Sequence, residues 1–233
     1  MVNNWFNIIQ DCLFPPTCIF CSSPGNHSLD LCHLCQSSLT ENESCCYKCG
    51  GVYENTHAIP LLCGRCQSHP PAFDETHAPY LYQGGIKHLI TNLKFNGHFK
   101  NARTLGTLLA QNLTINAEIP EVIIPVPLHH SRYLERGFNQ SIEIARTVAK
   151  ELKVPLDLTS CVRSRNTPHQ TSLHANQRRK NLRQAFLAKN PLPFRHAAIL
   201  DDVMTTGATV HELALTLIQS GVTRVDVWVC ARA

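Results

Sequence analysis

Two adjacent aspartates, Asp201 and Asp202, follow the apolar run at 196–200, and a turn of threonines with one glycine comes directly after them. The residues after this turn have the apolar spacing of an amphipathic helix. Free N–H groups and the positive dipole end at the start of such a helix attract a phosphate, and threonine hydroxyls add donors. The candidate phosphate ligands are therefore Thr205, Thr206, Gly207, Ala208 and Thr209.

The two carboxylates would repel a phosphate unless they face a different part of the same ligand. A sugar diol, or a Mg²⁺ ion chelated by that diol, requires oxygen acceptors of this kind. The segment 198–212 therefore predicts a site for a sugar phosphate at the carboxyl end of a strand. Because like charges this close gain nothing from each other, we expect Asp201 and Asp202 to contribute to ligand binding rather than to stability.

A second candidate loop follows the β-branched run at 121–128. Arg132 and Arg136 are spaced to bind a diphosphate through their guanidinium groups. The alternative is that two arginines four residues apart belong to a solvated helix face. Lys94 is a weaker candidate for the same pocket, and Asn139 is a candidate N-cap of the next helix.

A basic segment spans residues 158–200, which contain no acidic residue and eight lysines or arginines. Such a segment presents a positive surface to phosphates, either those of a small ligand or those of a single-stranded nucleic acid. A purely solvated loop is the alternative. The candidate contact residues are Arg165, Arg178, Arg179, Lys180 and Arg183.

Four C-x-x-C pairs lie within about fifty residues near the N-terminus. Two such pairs complete a tetrahedral Cys₄ site, so eight thiolates predict about two structural zinc ions. The spacing leaves open whether the pairs combine sequentially or in an interleaved order. The predicted ligands are Cys18, Cys21, Cys32, Cys35, Cys46, Cys49, Cys63 and Cys66.

The composition is consistent with thiolate–metal ligation rather than disulfides. The chain has 233 residues, a formal net charge of +4, and twelve cysteines, ten of them within residues 12–66. The N-terminal residues have no signal-peptide pattern, and no apolar stretch is long enough for a membrane span, so we expect a cytoplasmic location and no membrane insertion. A reducing compartment favours metal sites.

Beyond residue 70 the hydrophobic pattern alternates between β-branched runs and amphipathic segments. Runs at 121–128, 196–200 and 225–231 predict buried strands, and the segments between them predict helices. This order indicates an α/β domain with a mainly parallel sheet. We therefore divide the chain into residues 1–70, with a short N-terminal helix and the cysteine module, and residues 71–233, the α/β domain. We expect Cys18→Ser to unfold the cysteine module and leave the α/β domain largely folded.

The segment 198–212 resembles the 5-phosphoribosyl 1-diphosphate (PRPP) motif of type I phosphoribosyltransferases. Around it, the order of the cysteine module, Leu93-Lys94-Phe95, the stretches at 124–129 and 132–140, T-P-H-Q-T at 167–171 and R-R-K-N-L at 178–182 is similar to the ComF family. This resemblance runs from about residue 15 to residue 231. It implies a type I phosphoribosyltransferase-like mainly parallel sheet with helices on both faces behind a zinc module. It also implies PRPP with Mg²⁺ as ligands, a diphosphate loop at 132–140, and a role in natural transformation or the use of external DNA.

Two functions follow from this resemblance and from the residues. The first is a phosphoribosyltransferase in which Asp201 and Asp202 are the candidate reaction-site residues and segment 158–200 closes over PRPP. Its acceptor is unknown, because Thr205 stands where the purine enzymes have an aspartate that acts on the base. The second is an accessory protein of the DNA-uptake machinery that binds single-stranded DNA and in which the PRPP site is regulatory or vestigial.

Overall fold

The computed structural model describes residues 16–26, 29–53, 61–165 and 185–233. The predicted N-terminal helix lies outside these residues, as do the motifs at 167–171 and 178–182. Seven helices are found in the described part, which we number α1 to α7: His33–Ser37, Gly64–Ser68, Gly84–Asn96, Phe99–Asn116, His130–Arg136, Gln140–Leu152 and Ala208–Gln219. The strands β1 to β7 are Glu75–His77, Tyr80–Leu81, Val122–Pro125, Cys161–Arg163, Phe186–Ala188, His196–Met204 and Arg224–Arg232.

Five strands form one parallel sheet. Its order is β1-β7-β6-β3, and β2 continues the β1 edge by pairing with the end of β7. The register places Ile124 beside Ile199, and Ile199 beside Val227. These three residues are buried on one face of the sheet, and Ile123, Leu200 and Trp228, which follow or precede them in the strands, are buried on the other, which is why the strands lack a polar alternation.

Helices cover both faces, as predicted. Apolar residues of α3, α4 and α6 pack on one face against Ile123, Leu200 and Trp228. Residues of α7 pack on the other face against Ile199 and Val227. The amphipathic segments form helices at 84–96, 140–152 and 208–219, and the side chain of Asn139 caps α6 by accepting from the Ser141 N–H at 3.0 Å.

The antiparallel pair β4–β5 forms a separate two-stranded sheet. The guanidinium of Arg163 lies 5.7 Å from the centre of the Phe186 ring on the neighbouring strand. Of the basic-segment residues named above, Arg165 is described and exposed, whereas Arg178, Arg179, Lys180 and Arg183 lie outside the described residues.

The cysteine module packs directly onto the α/β domain. Leu29, Leu31 and Leu39 are buried in the same cluster as the residues of α3 and α4. Burial of each of these leucine side chains stabilises the folded state by about 2 kcal/mol. The two parts therefore share a core, which revises the expectation that the module unfolds alone. Among the described residues, no helix has both the length and the apolar character needed to cross a membrane.

Candidate functional site: a strand end, a loop and two zinc centres

The eight predicted cysteines form two separate groups. In each group the four Sγ atoms lie within 4.8 Å of one another, and the groups are Cys18, Cys21, Cys32 and Cys35, and Cys46, Cys49, Cys63 and Cys66. The Sγ atoms of Cys21 and Cys32 are 3.6 Å apart, and those of Cys49 and Cys63 are 3.7 Å apart. Tetrahedral zinc with Zn–S bonds of about 2.3 Å places its sulfur ligands about 3.8 Å apart. The donors fit two closed Cys₄ zinc sites, and the pairing is sequential.

Asp201 and Asp202 lie inside β6 rather than after it. The strand runs to Met204, four residues beyond the predicted end at 200, because β7 continues to pair with it as far as Arg232. The predicted location at the carboxyl end of a central strand is retained. Asp201 is half-buried, and Asp202 is 2% exposed.

The two carboxylates have different partners. Asp201 accepts a hydrogen bond of 2.8 Å from the Ser141 hydroxyl and one of 2.9 Å from the N–H of Asp202. Asp202 forms an ion pair with the Lys94 ammonium, whose Nζ is 2.5 Å from Oδ2. This ion pair gives Asp202 a role in stability that the sequence did not predict.

A chain of polar contacts extends from Asp202 to the diphosphate loop. The Gln140 amide donates to Asp202 Oδ1 at 3.4 Å, and Arg136 donates to the amide oxygen of Gln140. Gln140 thus links two predicted site residues, Arg136 and Asp202, and Asp202 pairs directly with a third, Lys94. Arg132 points elsewhere and pairs with Glu135 at 2.9 Å on the exposed side of α5.

The charges at the strand end are strongly coupled. Burial, together with the negative charge of Asp202, raises the pKa of Asp201 to about 7, although Lys94 and Ser141 act in the opposite direction. Burial disfavours the charged form of Lys94, but the attraction and hydrogen bond of Asp202 outweigh it and raise the Lys94 pKa. Lys94 is therefore a fixed cation beside the two acids.

The loop at 205–209 has the backbone geometry expected for an anion site. Gly207 has φ +75°, a left-handed conformation that favours glycine, and α7 begins at the next residue. Within the described chain, no hydrogen bond uses the N–H groups of Thr205, Thr206 or Gly207, and the Ala208 N–H donates to the Thr206 hydroxyl at 3.4 Å. The positive end of the dipole of α7, a 12-residue helix, lies at this loop and adds to its attraction for an anion.

Two further arginines contact this region that the sequence analysis did not single out. Arg65, between two zinc ligands, donates to the carbonyl of Thr206, and Arg232 at the end of β7 donates to the carbonyl of Met204. A cavity of about 470 Å³ lies between the second cysteine group and the loop, and its lining includes Arg65, Gly207 and Arg232.

The sequence analysis also did not predict the contacts of Gln140 and Ser141 with the two acids. Their proximity to β6 depends on how α6 crosses the sheet.

The fold and the site define a class of protein: a parallel α/β domain that presents acidic and loop residues at a strand end, joined to a pair of Cys₄ sites. Residues 9–67 match the family model described as "Double zinc ribbon domain". The chain is 34% identical over 224 residues to "DNA utilization protein YhgH" of Escherichia coli O157:H7, covering 94% of this chain and 97% of the relative. It is 35% identical over 225 residues to "Competence protein F" of Haemophilus influenzae, covering 93% and 96%. The chain belongs to this competence protein F family, the ComF family of the resemblance above.

A solved structure of glutamine PRPP amidotransferase from B. subtilis, complexed with ADP and GMP, aligns with 55% of this chain and 26% of that chain. The sequence identity is 21% and the TM-score is 0.39.

Proposed function

We propose that this protein binds PRPP together with Mg²⁺ at the carboxyl end of β6 and acts in the use of external DNA. One observation carries the proposal: β6 carries two adjacent acids, Asp201 and Asp202, near its carboxyl end, and the strand leads into a loop whose N–H groups are available to a phosphate. The sequence resemblance to the PRPP motif supports the choice of ligand. The DNA-related names of the relatives support the cellular role.

The different exposure of the two acids suggests different roles. Asp201 is the more exposed of the two acids and would accept from the ribose hydroxyls or bind the Mg²⁺ that they chelate. Mg²⁺ in such sites neutralises phosphate charge and is held by one or two carboxylates plus ligand oxygens. Asp202 is buried and would act indirectly, since it fixes the ammonium of Lys94 and the amide of Gln140.

The remaining residues would bind the two phosphate-bearing ends of the ligand. Thr205, Thr206, Gly207, Ala208 and Thr209 would bind the 5-phosphate. Arg136 and Arg132 would bind the diphosphate, and Arg136 is the better placed because it contacts Gln140. If the protein transfers the phosphoribosyl group, the C1–O bond to the diphosphate breaks while an acceptor atom bonds to C1. Cations fixed in advance would stabilise the charge on the departing diphosphate.

Asp201→Asn provides the test of this function. The substitution keeps the acceptor oxygen for Ser141 but removes the charge that would face Mg²⁺ and the ribose. We expect at least a tenfold loss of PRPP affinity in the presence of Mg²⁺, measured by calorimetry. The thermal shift that PRPP gives the parent protein should shrink accordingly.

Glu212→Gln is the matched control, since Glu212 lies on α7 and lines the cavity beside the loop. Removing this negative charge should leave PRPP affinity unchanged or raise it. Full PRPP affinity in Asp201→Asn, or an equal loss in Glu212→Gln, would contradict the proposed site.

The alternative function is single-stranded DNA binding with a regulatory or vestigial PRPP site, and the names of the relatives favour it. Arg163 and Arg165 are its described candidates, and Arg178, Arg179, Lys180 and Arg183 are the others. Contacts to DNA phosphates would make affinity fall steeply with salt. Release of diphosphate when PRPP and a candidate acceptor are mixed would favour the enzyme, and binding of PRPP without release would favour the accessory protein.

A further inference from the structure

The second zinc group is joined to the phosphate loop by two arginines. The guanidinium of Arg65, on α2 between Cys63 and Cys66, donates through Nη2 to the carbonyl oxygen of Thr206 at 3.2 Å. Arg232 donates through Nε to the carbonyl of Cys49 at 3.1 Å and through Nη1 to the carbonyl of Met204 at 3.0 Å. The two arginines thus connect the second zinc group to the backbone carbonyls of Met204 and Thr206.

These contacts orient the N–H groups of the loop. In a planar trans peptide the carbonyl of one residue and the N–H of the next point in opposite directions. Because Arg65 holds the Thr206 carbonyl on the side of the zinc group, the N–H of Gly207 points away from that side. The Met204 carbonyl accepts from Arg232 at 3.0 Å and from the N–H of Ala233 at 3.0 Å, and these two bonds fix the peptide between Met204 and Thr205 in the same way. The N–H groups of Thr205 and Gly207 therefore each point away from the carbonyl that an arginine holds.

We propose that Arg65 and Arg232 are positioning residues for phosphate binding, so that the second zinc centre is a structural support of the ligand loop. The inference rests on the proposed function, because it assigns the 5-phosphate of PRPP to the oriented N–H groups. It gives the zinc module a role in ligand binding although none of its side chains would touch the phosphate.

Arg65 is the residue to test, because it is exposed and its substitution removes no buried packing. Arg65→Gln should weaken PRPP binding about three- to tenfold, the worth of one hydrogen bond that fixes the loop. The affinity for inorganic diphosphate, which lacks the 5-phosphate, should be unchanged. Arg65→Lys retains a cationic donor and should recover part of the loss. Both affinities are measured with Mg²⁺ by calorimetry on the full-length, zinc-loaded protein.

Arg103→Gln is the control. Arg103 on α4 pairs with Asp30, which lies between Cys21 and Cys32 of the first zinc group, so it also joins the zinc module to the α/β domain, but away from the loop. It should leave PRPP affinity unchanged. Unchanged PRPP affinity in Arg65→Gln, an equal loss for PRPP and diphosphate, or an equal loss in Arg103→Gln would overturn the positioning role and leave the proposed function standing. Failure of the parent protein to bind PRPP would overturn both.

Discussion

Asp201 and Asp202 are neighbours in sequence, yet their environments give them opposite effects on stability. Asp202 compensates the charge of the largely buried Lys94, so its removal would leave an uncompensated cation and destabilise the fold. Asp201 has no cation of its own among the contacts above, and its ionised form is disfavoured by burial and by Asp202. The negative charge of Asp201 is therefore unfavourable in the free protein, and a bound cation would stabilise it. Such perturbed carboxyl groups are typical of binding sites.

This environment predicts how Asp201 affects stability at different pH values. Its folded-state pKa of about 7 lies above the ordinary value of about 3.9, so between these values the folded state keeps a proton that the unfolded state has lost. The contribution of Asp201 to the free energy of unfolding therefore falls as pH rises from about 4 to about 7. The margin is the free energy of unfolding of Asp201→Asn minus that of the parent. It should be larger at pH 8 than at pH 5.

Urea unfolding at pH 5, 6 and 8 without Mg²⁺ measures this margin. Taking the difference between parent and variant cancels the pH dependence of groups that do not interact with Asp201, which include the zinc thiolates and the distant carboxyl groups. A margin that does not change with pH would show that Asp201 titrates normally.

At the residue scale, the sequence predicted which residue types gather at the strand end but not how they pair. The two acids, the loop and Lys94 were identified from motifs, because a strand end followed by a glycine turn and a helix is a local pattern. The contacts of Gln140, Ser141 and Arg65 depend on side chains that are distant in sequence, up to 141 residues in the case of Arg65 and Thr206. Local hydrophobic patterns do not predict contacts between residues so far apart in sequence.

At the scale of elements, α4 and α6 are held in close contact at one glycine. A Cβ atom on Gly106 would lie 2.6 Å from Cβ of Thr147 and 2.9 Å from the carbonyl oxygen of Ile144. Because α6 carries Gln140 and Ser141 at its first turn, this contact also determines where those side chains meet β6. The periodicity of each helix was predictable, whereas this close approach was not.

Gly106→Ala should therefore destabilise the protein although alanine favours helices. Separating the helices to relieve the overlap would cost about 1–3 kcal/mol of unfolding free energy. Urea unfolding measures the loss. Gly64→Ala is the control, since nothing lies within 4 Å of a Cβ atom at that position. A Gly106→Ala protein as stable as the control would mean that the helices tolerate a wider spacing.

At the scale of the whole molecule, the zinc ribbon is part of the α/β core. The change of composition near residue 70 predicted two regions, and the C-x-x-C spacing predicted their metal, but neither pattern shows what the ribbon packs against. Leu29, Leu31 and Leu39 complete the same apolar cluster that contains Trp228 of β7. The ribbon also hydrogen-bonds to β1, where Thr76 donates from its backbone to Tyr47 and from its hydroxyl to Lys48.

Removal of zinc should therefore destabilise both regions together. Trp228 is fully buried in the shared cluster and is one of two tryptophans, so Trp5→Phe leaves it as the only tryptophan reporter of the α/β core. We expect about two zinc ions per chain, and a chelator should lower the unfolding temperature reported by Trp228 as zinc is released, because metal binding and folding are coupled. The same chelator loaded beforehand with zinc should have no effect. A Trp228 transition that stays unchanged after both ions have left would indicate that the α/β domain folds independently, and that the three buried leucines contribute little to its stability.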